Sequence, residues 1–295
     1  MRAQTVLITG ATTGIGRAAA LALAKAGHVV IATGRKVEAL ASLKAEARTG
    51  ILHTVRLDVT SAESIAAAVR AVDQLTTGYG IDALVNNAGY GLVGPLDQID
   101  DADLRAQFET NVFGLMAVTR AFVPAMRARG AGRIVNIGSM GGKVTFPFMG
   151  AYNATKYALE SLSDALRMEL APFGVRVSLV EPGAIHSEFA ERSMGFAAKY
   201  AGPSSPYAAI LSQADKIRSQ FDATAVGPES VVRAIERAIT ARRPAARYVA
   251  PFRTNLFLLV FRILPTSWMD AILRAAMGLT PRRLRAGGQT GALAT

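Results

Sequence analysis

The run Thr9-Gly10-Ala11-Thr12-Thr13-Gly14-Ile15-Gly16 follows the apolar triplet Val6-Leu7-Ile8 and leads into a segment of helical period. A glycine turn between a strand and a helix lets backbone amides approach a phosphate, whose charge the helix N-terminus stabilises. The spacing is G-x3-G-x-G rather than G-x-G-x-x-G, and an ordinary tight βα turn would also accept it. Its place directly after the first strand favours a dinucleotide site, built from Gly10, Thr12, Thr13, Gly14, Ile15 and Gly16.

Outward from this turn, short apolar runs alternate with longer segments of helical period. Runs at 5–9, 29–33, 52–57, 83–86, 133–137, 175–180 and 247–250 are mostly continuous in Val, Ile and Leu, as in strands buried on both faces. Segments 15–26, 61–75, 104–129 and 229–240 read as helices. In the last of them Val231, Val232, Ile235, Ala238 and Ile239 fall along one side, after Gly227-Pro228. Parallel strands need crossover helices, so this alternation predicts an α/β fold with a doubly wound Rossmann-type parallel sheet. One domain is expected over 1–250, with 190–226 as a substrate loop and 195–206 as an irregular insertion. A helical extension at 251–285 and a disordered tail at 286–295 complete the expected organisation.

The composition narrows the function. The 295 residues are 51% hydrophobic and 19% charged, which suits a large core. With no cysteine, the chain has no disulfide, iron–sulfur or thiolate zinc site, and three dispersed histidines (His28, His53, His186) make a metal site unexpected. No secretory signal precedes the first strand and no apolar stretch reaches a bilayer span, so a cytoplasmic protein is expected. The net charge of +11 is concentrated at one end. Residues 240–295 hold nine arginines against the single Asp270, a net +8 that leaves +3 for the remainder. A solvated basic end is therefore favoured over a nucleic-acid groove.

The second strand bears on the cofactor. It ends in Ile31-Ala32-Thr33-Gly34-Arg35-Lys36, where a carboxylate would be needed to bind the 2′-hydroxyl of NAD. A 2′-phosphate would accept a forked contact from Arg35, so NADP(H) is expected.

The ordered set of motifs resembles the short-chain dehydrogenase/reductase family. After the glycine turn come Asp58-Val59, Asn86-Asn87-Ala88-Gly89, Asn111, Ser139, Tyr152-Asn153-Ala154-Thr155-Lys156 and Pro182-Gly183, in the family's order over about residues 1–250. The resemblance implies an oxidoreductase, with Ser139, Tyr152, Lys156 and Asn111 as catalytic residues. It implies that Asp58 contacts the adenine and that Asn86 through Gly89 support the sheet and cofactor. Lys156 would bind the nicotinamide ribose, and Asn111 would help hold a proton-relay water. Where the family often has Pro-Gly-x-Val-x-Thr, this chain has Pro182-Gly183-Ala184-Ile185-His186-Ser187, in which Ser187 keeps a hydroxyl. Val59, Asn87, Ala88, Pro182, Gly183, Ile185 and Ser187 complete the expected cofactor site. A homodimer or homotetramer through the helices of Asn111 and Tyr152 is implied as well.

Spacing supports the chemistry. Tyr152 and Lys156 lie one helical turn apart on one face. A lysine cation about 4 Å from the phenol contributes roughly 4 kcal/mol at an effective dielectric near 20, enough to lower its pKa by about three units. Tyr152 is thus expected as general acid or base, and Ser139 as a hydrogen-bond donor to the substrate oxygen. A nucleotide-sensing module without turnover is the rival reading, opposed by the intact proton donor.

Met140, Phe146, Phe148 and Met149, together with Phe189, Met194, Phe196 and Tyr200, would flank the reacting carbon. They fit a hydrophobic alcohol or ketone of steroid, retinoid or long-chain type, or else pack the loop onto the core. In the extension, Leu256 to Phe261 is unbroken apolar sequence, and Pro265 separates it from a second helical stretch containing Trp268. This pair could close over the substrate, pack on another subunit or make peripheral membrane contact, packing within the protein being preferred.

Overall fold

The computed structural model describes residues 3–47, 51–186, 188–202, 204–213, 219, 223–281 and 284. Seven parallel strands form one sheet: β1 Thr5–Ile8, β2 Val29–Gly34, β3 Ile51–Arg56, β4 Ala83–Asn86, β5 Gly132–Ile137, β6 Val175–Pro182 and β7 Arg247–Ala250. Their order across the sheet is β3-β2-β1-β4-β5-β6-β7. The chain therefore winds one way from β1 to β3 and the other way from β4 to β7. The switch falls between β1 and β4, where Val6 pairs with Ala83 and Ile8 with Val85. Loops leave the sheet in opposite directions there, which opens a crevice at the strands' C-terminal ends.

Alternation along each strand feeds two helical layers. Val6 and Ile8 pack with Ala20 and Leu23 of the helix Gly14–Lys25 and with Val231 and Ile235 of Glu229–Thr240. Leu7 points to the other face, among Ile65 and Val72 of Ala62–Leu75 and Phe122 and Met126 of Leu115–Arg129. Both faces are dry, as the continuous apolar runs require.

Two expectations need correction. The segment 104–129 is not one helix. It divides into Asp101–Phe108, a π-helical turn Glu109–Gly114 and Leu115–Arg129. The wide turn carries Asn111, and it approaches the loop after β3 so closely that a Cβ on Gly114 would lie 2.8 Å from the Val59 carbonyl oxygen. The stretch 195–206 is not wholly irregular either. The helix Glu188–Ala197 runs into it and a 3-10 turn follows at Ala198–Tyr200, because Ala197 and Tyr200 are buried with Val93, Phe148 and Ile210. Between β2 and β3 the crossover is the helix Val37–Glu46.

The substrate loop closes at its base through an isolated parallel bridge between Ile185 and Val226. Beyond β7, the helices Arg253–Ile263 and Thr266–Ala276 follow, separated by Leu264-Pro265. No helix among the described residues is long and apolar enough to cross a membrane. The tail at 286–295 lies outside the described residues.

Candidate active site

The glycine turn is built for close approach. Gly10 has φ +64°, and a Cβ there would lie 2.8 Å from Ala88 Cα; on Gly16 it would lie 2.4 Å from the Gly10 carbonyl oxygen. No side chain larger than hydrogen fits either position. The turn is stitched to the end of β4 by Thr9, whose hydroxyl oxygen accepts from the amides of Asn87 and Ala88, each at 2.9 Å. Asn87 Nδ2 donates back to the carbonyls of Thr9 and Gly10, each at 3.0 Å. Thr13 sits at the N-cap of Gly14–Lys25 without a side-chain cap hydrogen bond. The first-turn amides are thereby left to an external acceptor, and the residues present fit a dinucleotide pyrophosphate.

At the far end of this crevice Arg35 and Lys36 are exposed just beyond β2. Asp58 lies close enough to feel Arg35. Burial raises its carboxyl pKa, but hydrogen bonds from Thr60 and the charges of Arg35 and Arg56 outweigh it, and the net pKa is lowered. The exposed Arg35 and Lys36 are cations that could accept an adenosine 2′-phosphate.

Ser139, Tyr152 and Lys156 converge beyond β5. Tyr152 and Lys156 are 6% and 8% exposed on the inner face of the helix Gly150–Leu170. Lys156 Nζ donates to the Ile137 carbonyl at 2.8 Å and lies 5.6 Å from the centroid of the Tyr152 ring. Ser139 caps the 3-10 turn Met140–Gly142 by accepting from the Gly141 amide at 3.0 Å, and its hydroxyl hydrogen-bonds the Tyr152 phenol.

The direction of the pKa shifts overturns the expected electrostatics. Burial pushes the phenol up to about 12, opposed only by the Ser139 hydrogen bond, and burial pushes the Lys156 ammonium down to about 8. Loss of water disfavours both charged forms, and the lysine spends its proton on a carbonyl rather than on the phenol. In the chain by itself Tyr152 is a protonated acid at neutral pH.

Asn111 is a tie. Its Nδ2 donates to the Tyr90 carbonyl at 2.9 Å and to Thr155 Oγ1 at 3.1 Å, while its Oδ1 accepts from the Tyr90 amide at 3.1 Å. Gly89 packs against it, a Cβ there lying 3.0 Å from Asn111 Oδ1. Thr155 in turn donates to the Tyr152 carbonyl at 2.7 Å. The π turn, the loop after β4 and the tyrosine helix are thus linked by one buried chain of bonds.

Three residues with no expected role join the site. Thr9 and Thr155 are two. The third is Asn153, 1% exposed, which accepts from the Phe146 amide at 3.1 Å and donates to the Gly141 carbonyl at 2.9 Å. It pins the loop that carries Ser139. A polar residue between Tyr152 and Lys156, off the face of both, was the only trace of it in the sequence.

Of the other residues expected at the cofactor, Ser187 alone cannot be placed. Val59 is buried beneath the π turn. Pro182 ends β6, Gly183 donates to the Ala250 carbonyl at 2.8 Å, and Ile185 is buried at the bridge to Val226. Ser187 lies outside the described residues, as does the side chain of Met194.

Of the apolar residues expected around the substrate, Phe189 faces the phenol, its ring centroid 5.3 Å from that of Tyr152. Phe196 stacks on Tyr90 at 5.8 Å, and Phe146 on Phe257 at 6.4 Å. Phe148 and Tyr200 instead pack the loop onto its own small core.

The chain belongs to the short-chain dehydrogenase family, whose family model matches residues 4–195. It is therefore an oxidoreductase of a kind that uses a nicotinamide cofactor. It is 38% identical over 279 residues to the uncharacterised oxidoreductase YbbO of Escherichia coli K12, covering 92% of this chain and 94% of that one. It is 32% identical to the 3-ketodihydrosphingosine reductase of Bacteroides thetaiotaomicron, covering 93% and 98%. Among solved structures, the closed form of a serine dehydrogenase complexed with NADP+ superposes with a TM-score of 0.72 at 31% identity, covering 83% of this chain and 93% of that one.

Proposed function

We propose that the protein is an NADP(H)-dependent carbonyl reductase and alcohol dehydrogenase acting on a hydrophobic ketone or alcohol. The observation that carries this reading is the convergence of the buried Tyr152 and Lys156 with the half-buried Ser139 at the crevice, the phenol hydrogen-bonded to Ser139. When bound, the nicotinamide supplies or takes up the hydride.

The chain's own residues handle the oxygen and the proton. Tyr152, protonated at neutral pH, donates its proton to the substrate oxygen during reduction; in the reverse direction its phenolate, formed by prior loss of that proton to solvent, would take up the alcohol proton. The Ser139 hydroxyl hydrogen-bonds the same oxygen as charge develops on it. Lys156 anchors the end of β5 through the Ile137 carbonyl and turns its remaining donors to the nicotinamide ribose. Asn111 holds the tyrosine helix in register through Thr155 and supports a proton-relay water.

Gly10, Thr12, Thr13, Gly14, Ile15 and Gly16 cradle the pyrophosphate, with Asn87, Ala88 and Gly89 behind them. Asp58 and Val59 flank the adenine, and Arg35 takes the 2′-phosphate. The structural relative that holds NADP+ supports this choice over NAD. Pro182, Gly183 and Ile185 border the nicotinamide amide, with Ser187 the expected hydroxyl. An apolar substrate is supported by the Phe189 ring over Tyr152 and by the relative named for 3-ketodihydrosphingosine. A cytoplasmic homodimer or homotetramer fits the exposure of Phe113 and Tyr157, on the elements that carry Asn111 and Tyr152.

The test is an NADPH-oxidation screen against long-chain, steroid, aromatic and small polar ketones, with NADH in parallel. Faster turnover of the apolar ketones with NADPH is expected. No turnover of any ketone, or a preference for NADH, overturns the reading.

A further inference from the structure

The helices Arg253–Ile263 and Thr266–Ala276 carry apolar residues on two sides. Thr254, Phe257, Leu258 and Phe261, spaced i, i+3, i+4 and i+7, are buried or half-buried. Phe257 lies 4.3 Å from Phe261 and 6.4 Å from Phe146 between ring centroids. This side packs on the protein, as the sequence led us to prefer.

The other side of the first helix repeats the same spacing in the open. Leu256, Leu259, Val260 and Ile263 are 66%, 52%, 45% and 74% exposed. On the second helix Trp268 and Ile272, one turn apart, are 64% and 49% exposed. An apolar stripe kept in water over two consecutive helices calls for something to cover it.

Charge says what covers it. Arg253, Arg262 and Arg274 are exposed on the same two helices, and residues 240–295 hold nine arginines against the single Asp270. A second copy docked face to face would set Arg253, Arg262 and Arg274, opposed on these helices by Asp270 alone, against the same net +2, at a cost that rises as the interface dries. An anionic lipid surface complements it instead, each basic residue near the headgroups contributing about 1 kcal/mol. Eleven residues make a helix of about 16 Å, too short to span and suited to lying in the interface.

We propose that these two helices dock the protein in the plane of an anionic lipid surface through Leu256, Leu259, Val260, Ile263, Trp268 and Ile272. Because the inner side of the first helix touches Phe146, six residues before Tyr152, docking brings the substrate side of the fold to the lipid. The proposal stands on the helix pair alone, and the catalytic reading could fail without affecting it.

Trp268 is the chain's single tryptophan, so its fluorescence reports this surface directly. The full chain would be titrated with vesicles of phosphatidylcholine alone and of phosphatidylcholine mixed with phosphatidylserine, with sedimentation in parallel. A blue shift and co-sedimentation with the mixed vesicles, reduced by salt and absent from phosphatidylcholine alone, are expected. Leu259→Glu and Ile263→Glu should weaken binding at least about tenfold. Both side chains are exposed, so the thermal midpoint should hold. The proposal is overturned if mixed vesicles neither shift Trp268 nor pellet the protein, or if both variants bind like the parent. It is equally overturned if a shift without lipid tracks a doubling of molecular mass, which would make a second copy the occupant.

Discussion

The ring of Phe189 lies 5.3 Å from the ring of Tyr152, tilted 57° to it, so the helix Glu188–Ala197 roofs the phenol. That contact contributes to the burial that drives the phenol pKa up to about 12. Phe189→Ala should therefore bring the value back toward 10, measured by ultraviolet difference titration. It should also lower kcat/KM for an apolar ketone about tenfold while sparing a small one, since the lost ring is apolar contact area.

Arg35 stands exposed at the end of β2, where its charge already reaches Asp58. Arg35→Glu replaces a forked donor with a charge that repels a 2′-phosphate. The ratio of kcat/KM with NADPH to that with NADH should fall about 100-fold, the equivalent of about 3 kcal/mol. An unchanged ratio would remove Arg35 from the cofactor site.

Glu181, 1% exposed on β6, shares a charged cluster with Glu160, Lys143 and Arg247. Burial, followed by the nearby Glu160 carboxylate, raises its pKa to about 7 against the pull of Lys143 and Arg247. The folded state therefore binds more protons than the unfolded state between about pH 4.5 and 7. This contribution to stability is full below that window and is lost as pH rises through it. Glu181→Gln should flatten the slope across the window and stabilise the protein at pH 8, checked by urea denaturation across pH.

The seven strands and the glycine turn were legible because their signals are local: continuous apolar runs, and glycines that admit no Cβ. Arg35 was singled out by its position at the end of β2, and the Tyr152–Lys156 pair by its place in the ordered set of motifs that resembles the family. What escaped is carried by distant partners. Thr9 meets Asn87 across 78 residues, and Asn111 meets Thr155 across 44. The π turn at Glu109–Gly114 has no periodic signature of its own. The phenol's pKa shift was misread in sign because spacing gives a charge's proximity but says nothing of the water it loses.

Asn153 shows how such a residue acts. Its two bonds hold Gly141 and Phe146, and with them the loop that begins at Ser139. Asn153→Ala leaves the buried Gly141 carbonyl and the half-buried Phe146 amide without these partners and should cost about 1–3 kcal/mol of stability. A positioning role predicts in addition that kcat falls more than KM rises, which a purely structural loss would not produce.

The most direct test of the account is Tyr152→Phe, which removes one oxygen from a buried ring and leaves Ser139 and Lys156 in place. Turnover of the best ketone should fall by at least about 1,000-fold, within the usual range for a lost proton donor, while NADPH binding followed by its fluorescence stays the same. Turnover near that of the parent protein would contradict the assignment of Tyr152 as the group that moves the proton.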